Sequence, residues 1–240
     1  MAMRNRGMMM ANIGFRIFPI TKRPSEQLVN QFRSIVTPHI SDNVNRIHAM
    51  SAGLRPYHKE GQLVGAAVTV KTRPGDNLMV HKAIDLAQPG DVIVVDAGGD
   101  VTNAIVGEIM MRIAQKKGIA GFVIDGSIRD TEAFKNDVFP VYARGVTHRG
   151  PYKDGPGEIN VPVSVGGMIV HPGDIMVGDA DGLAVVPLEQ AEEILELVKK
   201  QQVKEEAILK SIEDGTIDRS WVDELLKQKG CEFVDGSDKM

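Results

Sequence analysis

Two acids, one guanidinium and one helix start fall within a single short stretch of this chain. Gly107-Glu108-Ile109-Met110 opens a predicted helix, and twenty residues separate Glu108 from Arg129-Asp130. Backbone N–H groups at a helix start have no intrahelical partner and attract anions, and Gly107 allows close approach. Arg129 offers a rigid fork of donors for a carboxylate or an oxyanion. Asp130 is a hard oxygen ligand of the kind Mg²⁺ or Mn²⁺ takes, with waters filling the remaining positions. Singly, each has a plainer reading: Gly107 only opens a helix, and Arg-Asp is a solvated turn. Their chemistry depends on meeting at one point.

The surrounding elements are arranged so that they can meet. Ile105, Ile109, Ile113 and Ala114 recur at helical spacing and predict an apolar helix face, which Gly118 closes. The apolar run 121–124 predicts a strand, with Asp125-Gly126-Ser127-Ile128-Arg129-Asp130 at its C-terminal end, where α/β proteins commonly place ligands. Upstream, 62–72 and 92–95 read as buried strands around a helix at 78–88. Residues 24–36 predict a helix, and Ser41-Asp42 predict the cap of a second at 43–49. Downstream, 138–143 predicts a strand and the Gly/Pro-rich 147–160 a long loop or hairpin. Short strands follow between 161 and 186, then helices at 188–212 and 218–229.

The 240 residues carry a net charge of −4, which argues against a nucleic-acid surface. The one cysteine, Cys231, cannot close an internal disulfide and suits a reducing interior. No apolar run reaches the ~20 residues that cross a bilayer, and the first residues lack the apolar core of a secretory signal, so the cytoplasm is the expected location. The expected division is an extension at 1–23, one domain at 24–212, and a terminal helix with its tail at 213–240.

An acid, twenty residues and then Arg-Asp resembles the signature of the RraA-like family. Ser41-Asp42, Pro74-Gly75-Asp76-Asn77 with His81, Gln88-Pro89-Gly90-Asp91 and Pro172-Gly173-Asp174 lie in the order that family would have them. The resemblance covers about 24–198. It implies an α/β fold, a layered α/β/β sandwich resembling the swivelling β/β/α domain, assembled as a homotrimer or as a hexamer of two trimers. It also implies an activity, the metal-dependent cleavage of a 4-hydroxy-2-oxo acid to pyruvate, with oxaloacetate decarboxylation through the same enolate. Carried over, Gly107, Glu108, Ile109 and Met110 would cradle the 2-oxo acid. Arg129 would bind its oxygen, Asp130 would hold the divalent cation (Mg²⁺ or Mn²⁺), and Glu108 would relay the hydroxyl proton. The family's aldolases often carry Asp where this chain has Glu108.

The same family includes non-catalytic regulators that bind a ribonuclease, and this is the alternative reading. Gly166-Gly167-Met168-Ile169-Val170-His171 also resembles the phosphohistidine run of swivelling domains, although a Pro-Gly-Asp turn follows His171 where a helix should start. Asp76, Asn77 and His81 form a second constellation. They either line the substrate pocket or place a half-exposed histidine on a helix. The basic stretch from Arg144 to Arg149 with Lys153 either steers an anion to the site or is a solvated loop.

Overall fold

The computed structural model describes residues 12–232 and 234. Its elements, in order, are β1 (Phe15–Ile17), α1 (Glu26–Gln31), α2 (Thr37–Asn43), β2 (Arg55–Pro56), β3 (Leu63–Thr72), α3 (Leu78–Leu86) and β4 (Asp91–Asp96). Then come β5 (Ala104–Val106), α4 (Glu108–Lys116), β6 (Gly121–Ile128), α5 (Thr131–Lys135), β7 (Val141–Val146), β8 (Gly157–Ile159), β9 (Val163–Val165) and β10 (Met168–Val170). The last are β11 (Ile175–Asp179), β12 (Gly182–Val186), α6 (Ala191–Glu213) and α7 (Ser220–Gln228).

Strands β3, β4, β6 and β7 run parallel, and α3, α4 and α5 lie in the connections between them. Parallel strands need such crossovers, and with both faces covered they read as continuous apolar runs. That is why β4 and β6 are buried along their whole length. Val68, Ile93, Ile124 and Phe122 turn to one face and meet Val80, Ala83, Met111 and Ala114 of the helices. Ala67, Val94, Val123 and Tyr142 turn to the other face and meet Met176, Val185, Val163 and Val170 of the second β layer. The outer side of β11 and β12 is covered by Phe32, Ile35 and Ile40 and by Ala191, Ile194, Leu195 and Val198. The expected α/β/β layering is thus present, with one further helical layer outside it.

Local differences have local causes. The short second helix is Thr37–Asn43, so Ser41 and Asp42 lie in its last turn rather than at its cap. Pro38 stands in its first turn, where a missing N–H is not needed. Strand β6 continues four residues past 124 because β5 and β7 pair with it on either side up to Ile128. The buried side of α4 is Met110, Met111 and Ala114, whereas Ile109 is 72% and Ile113 42% exposed. Ile105, which set the expected helical phase, belongs to β5 instead. Part of the expected N-terminal extension is built into the sheet, since Phe15–Ile17 pairs in parallel with Gly157–Ile159. The expectation for residues 1–11 lies outside the described residues.

The chain divides into two compact units, Met1–Val198 and Lys199–Met240. Within the second, Trp221, Leu225 and Leu226 are exposed. No described helix is long and apolar enough to cross a membrane.

Candidate active site

The site is built where β6 ends. Arg129 N–H donates to the Val106 carbonyl at 3.0 Å, which ties the turn after β6 to the end of β5. Asp130 then adopts a left-handed backbone, φ 56° and ψ 38°, and caps α5. Such a conformation in a non-glycine residue is uncommon and clusters at functional sites. Here it aims the carboxylate at the start of α4, and Asp130 Oδ2 accepts the Glu108 N–H at 3.0 Å. Arg129 Nε lies 3.7 Å from the same oxygen.

Gly107 stands where a side chain could not. A Cβ there would collide with the Asp130 carboxylate and press on Arg129 Cγ and Nε. Its absence lets the strand end, the helix start and the Arg-Asp turn close on one cavity of about 220 Å³, lined by Gly107, Ile109, Met110, Arg129 and Asp130 among others. Glu108 takes the first-turn position and gives its N–H to Asp130, whereas Ile109 and Met110 sit where helical N–H groups have no intrahelical partner.

The Glu108 side chain goes elsewhere. Its Oε1 lies 3.3 Å from Arg112, one turn on, and Arg112 also reaches Asp137 at 2.7 Å. Glu108 is not among the residues lining the cavity, and its side chain is 47% exposed. Within the chain, then, the structure joins Arg129, Asp130 and the helix start and leaves the Glu108 carboxylate outside.

Asp125, at the head of the stretch singled out in the sequence, is also not part of the cavity. It is buried in β6 and paired with Arg144, and Asp125 Oδ2 accepts the Gly166 N–H at 2.9 Å. That pairing raises the Arg144 pKa above its ordinary value and removes Arg144 from the basic stretch expected to steer anions. His171 is 62% exposed, with its N–H on Asp174 Oδ2 at 2.8 Å, and strand β11 follows it rather than a helix. The phosphohistidine arrangement is not formed.

The second constellation does reach the site. Asn77, His81 and Lys153 line the same cavity. Asn77 is buried, and its Nδ2 donates to the Ile105 carbonyl at 2.9 Å. Among the described residues its Oδ1 has no partner. A buried unpaired carbonyl costs about 1–3 kcal/mol, so one beside a cavity marks a place for a donor from a ligand. Burial pushes the His81 pKa below its ordinary value, and the Lys153 charge pushes it the same way against the weaker opposite pull of Asp85. The signal for this group lay in Asp76-Asn77 with His81 one turn on.

Asp76 is what assembles this wall. It is fully buried and accepts N–H groups from Leu78 at 3.0 Å, Asp154 at 2.7 Å and Gly155 at 3.0 Å, with Arg73 at 3.2 Å. One carboxylate thus caps the helix bearing His81 and pins the loop bearing Lys153. Burial alone would raise its pKa, but these donors outweigh burial and hold it below the ordinary carboxylate range.

A larger groove of about 640 Å³ lies at the opposite end of the strands. Several of its polar side chains already have partners. Arg23 pairs with Asp91 at 2.5 Å, Arg33 with Asn30 at 2.9 Å, and Gln62 donates to the Ile35 carbonyl. The smaller cavity is therefore the chemical candidate.

The donor set fits a hydrated hard cation better than a closed metal centre. Among the described residues no group of three or more His, Cys, Asp or Glu could hold a metal. One carboxylate at a cavity, with one oxygen steadied by an amide, is what Mg²⁺ or Mn²⁺ requires when waters and substrate supply the rest.

A parallel sheet with a helix start and an Arg-Asp turn meeting at its strand ends defines an α/β fold with a cavity at the carboxyl ends of the strands. Residues 37–185 match the model of the RraA-like family, Aldolase/RraA, and the chain belongs to that family. It is 46% identical over 189 residues to a putative 4-hydroxy-4-methyl-2-oxoglutarate aldolase of Halalkalibacterium halodurans, a match covering 79% of this chain and 90% of that one. It is 32% identical over 151 residues to the 4-hydroxy-4-methyl-2-oxoglutarate aldolase of Thermus thermophilus, covering 63% and 92%. Among solved structures it is similar to Streptomyces coelicolor RraAS2, described as an unusual member of the RNase ES inhibitor RraA protein family. The TM-score is 0.70 at 28% identity, covering 77% of this chain and 96% of that one.

Proposed function

We propose that the protein is a divalent-metal-dependent aldolase. It cleaves a 4-hydroxy-2-oxo acid of the 4-hydroxy-4-methyl-2-oxoglutarate or 4-carboxy-4-hydroxy-2-oxoadipate type to pyruvate and a second oxo acid. Oxaloacetate decarboxylation, which passes through the same enolate, is a further activity of the site. The observation that carries this reading is the convergence of Arg129, Asp130 and the first turn of α4 on one cavity that Gly107 keeps open. The names of the relatives support it.

The substrate carboxylate lies against the amides of Ile109 and Met110, where the helix start favours negative charge. Arg129 holds the 2-oxo oxygen and stabilises the charge that develops there as the carbon–carbon bond breaks. Asp130 holds the cation, and the Glu108 amide fixes the angle of that carboxylate. When bound, a Mg²⁺ or Mn²⁺ ion supplies a Lewis acid that polarises the oxo group. Lys153, at the cavity rim, places positive charge where a second carboxylate of the substrate fits. The relay role expected of Glu108 requires its pair with Arg112 to open.

Pyruvate release from 4-hydroxy-4-methyl-2-oxoglutarate and from oxaloacetate tests the reading. Turnover is expected with Mg²⁺ or Mn²⁺, and is expected to vanish with chelator and in Asp130→Ala. The similarity to RraAS2 favours a second reading, a regulator that binds a ribonuclease. Absence of turnover together with tight binding to a ribonuclease would establish that reading instead.

We also propose that the chain works as a trimer, or as two stacked trimers, with the cavity near a subunit boundary. Ile109 and Ile113 support this, because they expose an apolar stripe on α4 beside the cavity.

A further inference from the structure

We propose that His81 is the proton carrier of this site: its imidazole takes the hydroxyl proton as the substrate's carbon–carbon bond breaks and returns it to the enolate carbon. The inference rests on the aldolase reading above and names a residue that reading leaves open.

Four observations carry it. The Glu108 carboxylate is engaged by Arg112 and lies outside the cavity. The one acid that lines the cavity, Asp130, already accepts the Glu108 amide and is the group suited to the cation. His81 lines the cavity from α3, the wall formed by neither α4 nor the Arg-Asp turn. Asn77 lies one helical turn before it and lines the same wall, buried, with an acceptor oxygen that lacks a partner among the described residues and suits a second donor of a polar ligand.

The charge setting agrees with the geometry. His81 faces Lys153 from the loop, Arg129 and Asp130 from the end of β6, and Asp85 one turn further along its own helix. Burial first, and Lys153 second, favour the neutral ring. A neutral imidazole at neutral pH is ready to accept a proton, and its conjugate acid is ready to give one.

The step balances within the site. An imidazole nitrogen accepts the C4 hydroxyl proton, C4 becomes a carbonyl carbon, and the C3–C4 electron pair passes into the enolate held by Arg129. The imidazolium then protonates C3, giving the methyl group of pyruvate and restoring the neutral ring. No oxidant, reductant or co-reactant is consumed.

The test uses the full chain with Mg²⁺ and compares His81→Gln with wild type in three reactions. These are cleavage of 4-hydroxy-4-methyl-2-oxoglutarate, deuterium uptake into the pyruvate methyl group in D₂O, and oxaloacetate decarboxylation. Decarboxylation reaches the enolate by losing CO₂, with no hydroxyl proton to remove, so it is read as CO₂ release in a single turnover, before the enolate is protonated, and serves as the internal control. Cleavage and deuterium uptake are expected to fall about 100-fold or more, decarboxylation far less. The acid limb of the cleavage pH profile should lie below the ordinary histidine range and move up in Lys153→Gln. Proton NMR of the metal-free protein, with the His81 resonance assigned by its loss in His81→Gln, should show the same upward movement.

Wild-type cleavage and exchange rates in His81→Gln would overturn the proposal and leave the aldolase reading intact. So would a parallel loss of all three reactions, or an acid limb that survives in His81→Gln and disappears in Glu108→Gln. Wild-type protein that releases no pyruvate would overturn both.

Discussion

Arg129 is the residue whose chemistry is least replaceable. Its guanidinium stands beside Asp130 at the cavity and can engage a carboxylate and an enolate oxygen in one plane. Arg129→Lys keeps the charge and loses the fork. We predict a drop in kcat of about 100-fold with a smaller change in KM, read by steady-state cleavage kinetics. At this scale the sequence was only partly informative. The meeting of Arg129, Asp130 and Gly107 at one cavity was legible because the predicted helix start and strand end place them at the same end of one unit. The direction of the Glu108 side chain was not, because its pairing with Arg112 one turn away is a choice of rotamer. Asp125 lies in the same short stretch, yet the pleat of β6 carries it towards Arg144 and away from the cavity.

At the scale of elements, the join made by Asp76 decides whether the second wall of the site exists. Breaking a buried, multiply bonded carboxylate removes its bonds and strands its donors. Asp76→Ala is therefore expected to cost about 3 kcal/mol, measured by denaturant unfolding. The pH dependence has a fixed sign. The folded-state carboxyl titrates below the ordinary aspartate value of 3.8. Its contribution is thus complete above that pH and is lost as pH falls through the lower, folded value. Acid unfolding of the wild type should accordingly be steeper than that of Asp76→Ala in that window. Strands β3 and β4 and helix α3 were legible from apolar runs and turn residues, since burial on both faces leaves a continuous signature. The extent of β6 was not, because its last residues are held in the sheet by two neighbours distant in sequence. The phase of α4 was lost for the same reason: Ile105 looked helical and belongs to a strand.

At the scale of the molecule, the layering followed from parallel strands interleaved with helices and a β-rich continuation. The added outer helical layer came from α1, α2 and the start of α6, whose apolar faces the sequence showed without naming what they cover. The exposed stripe on α4 carries the prediction that belongs here. Ile109→Glu with Ile113→Glu should lower the mass measured by size-exclusion chromatography with light scattering from that of a trimer or hexamer to that of one chain. The circular dichroism spectrum should stay that of wild type, because both side chains already face solvent within the chain, whereas the melting temperature should lose its dependence on protein concentration.

The segment 147–156 looks, in the sequence, like the loosest part of the chain, and the structure laces it at almost every step. Thr147 N–H bonds the Ile128 carbonyl, Ala104 N–H bonds that of Arg149, Asn103 bonds that of Gly150, and Tyr152 exchanges bonds with Gly75 and Asn77. Asp76 fastens the amides of Asp154 and Gly155. A backbone stitched this densely is a fixed rail on which side chains can be exchanged singly. On the aldolase reading, the choice of acid should therefore be open to retuning at Pro151 and Lys153, which line the cavity, one position at a time, with the breaking bond left where it is.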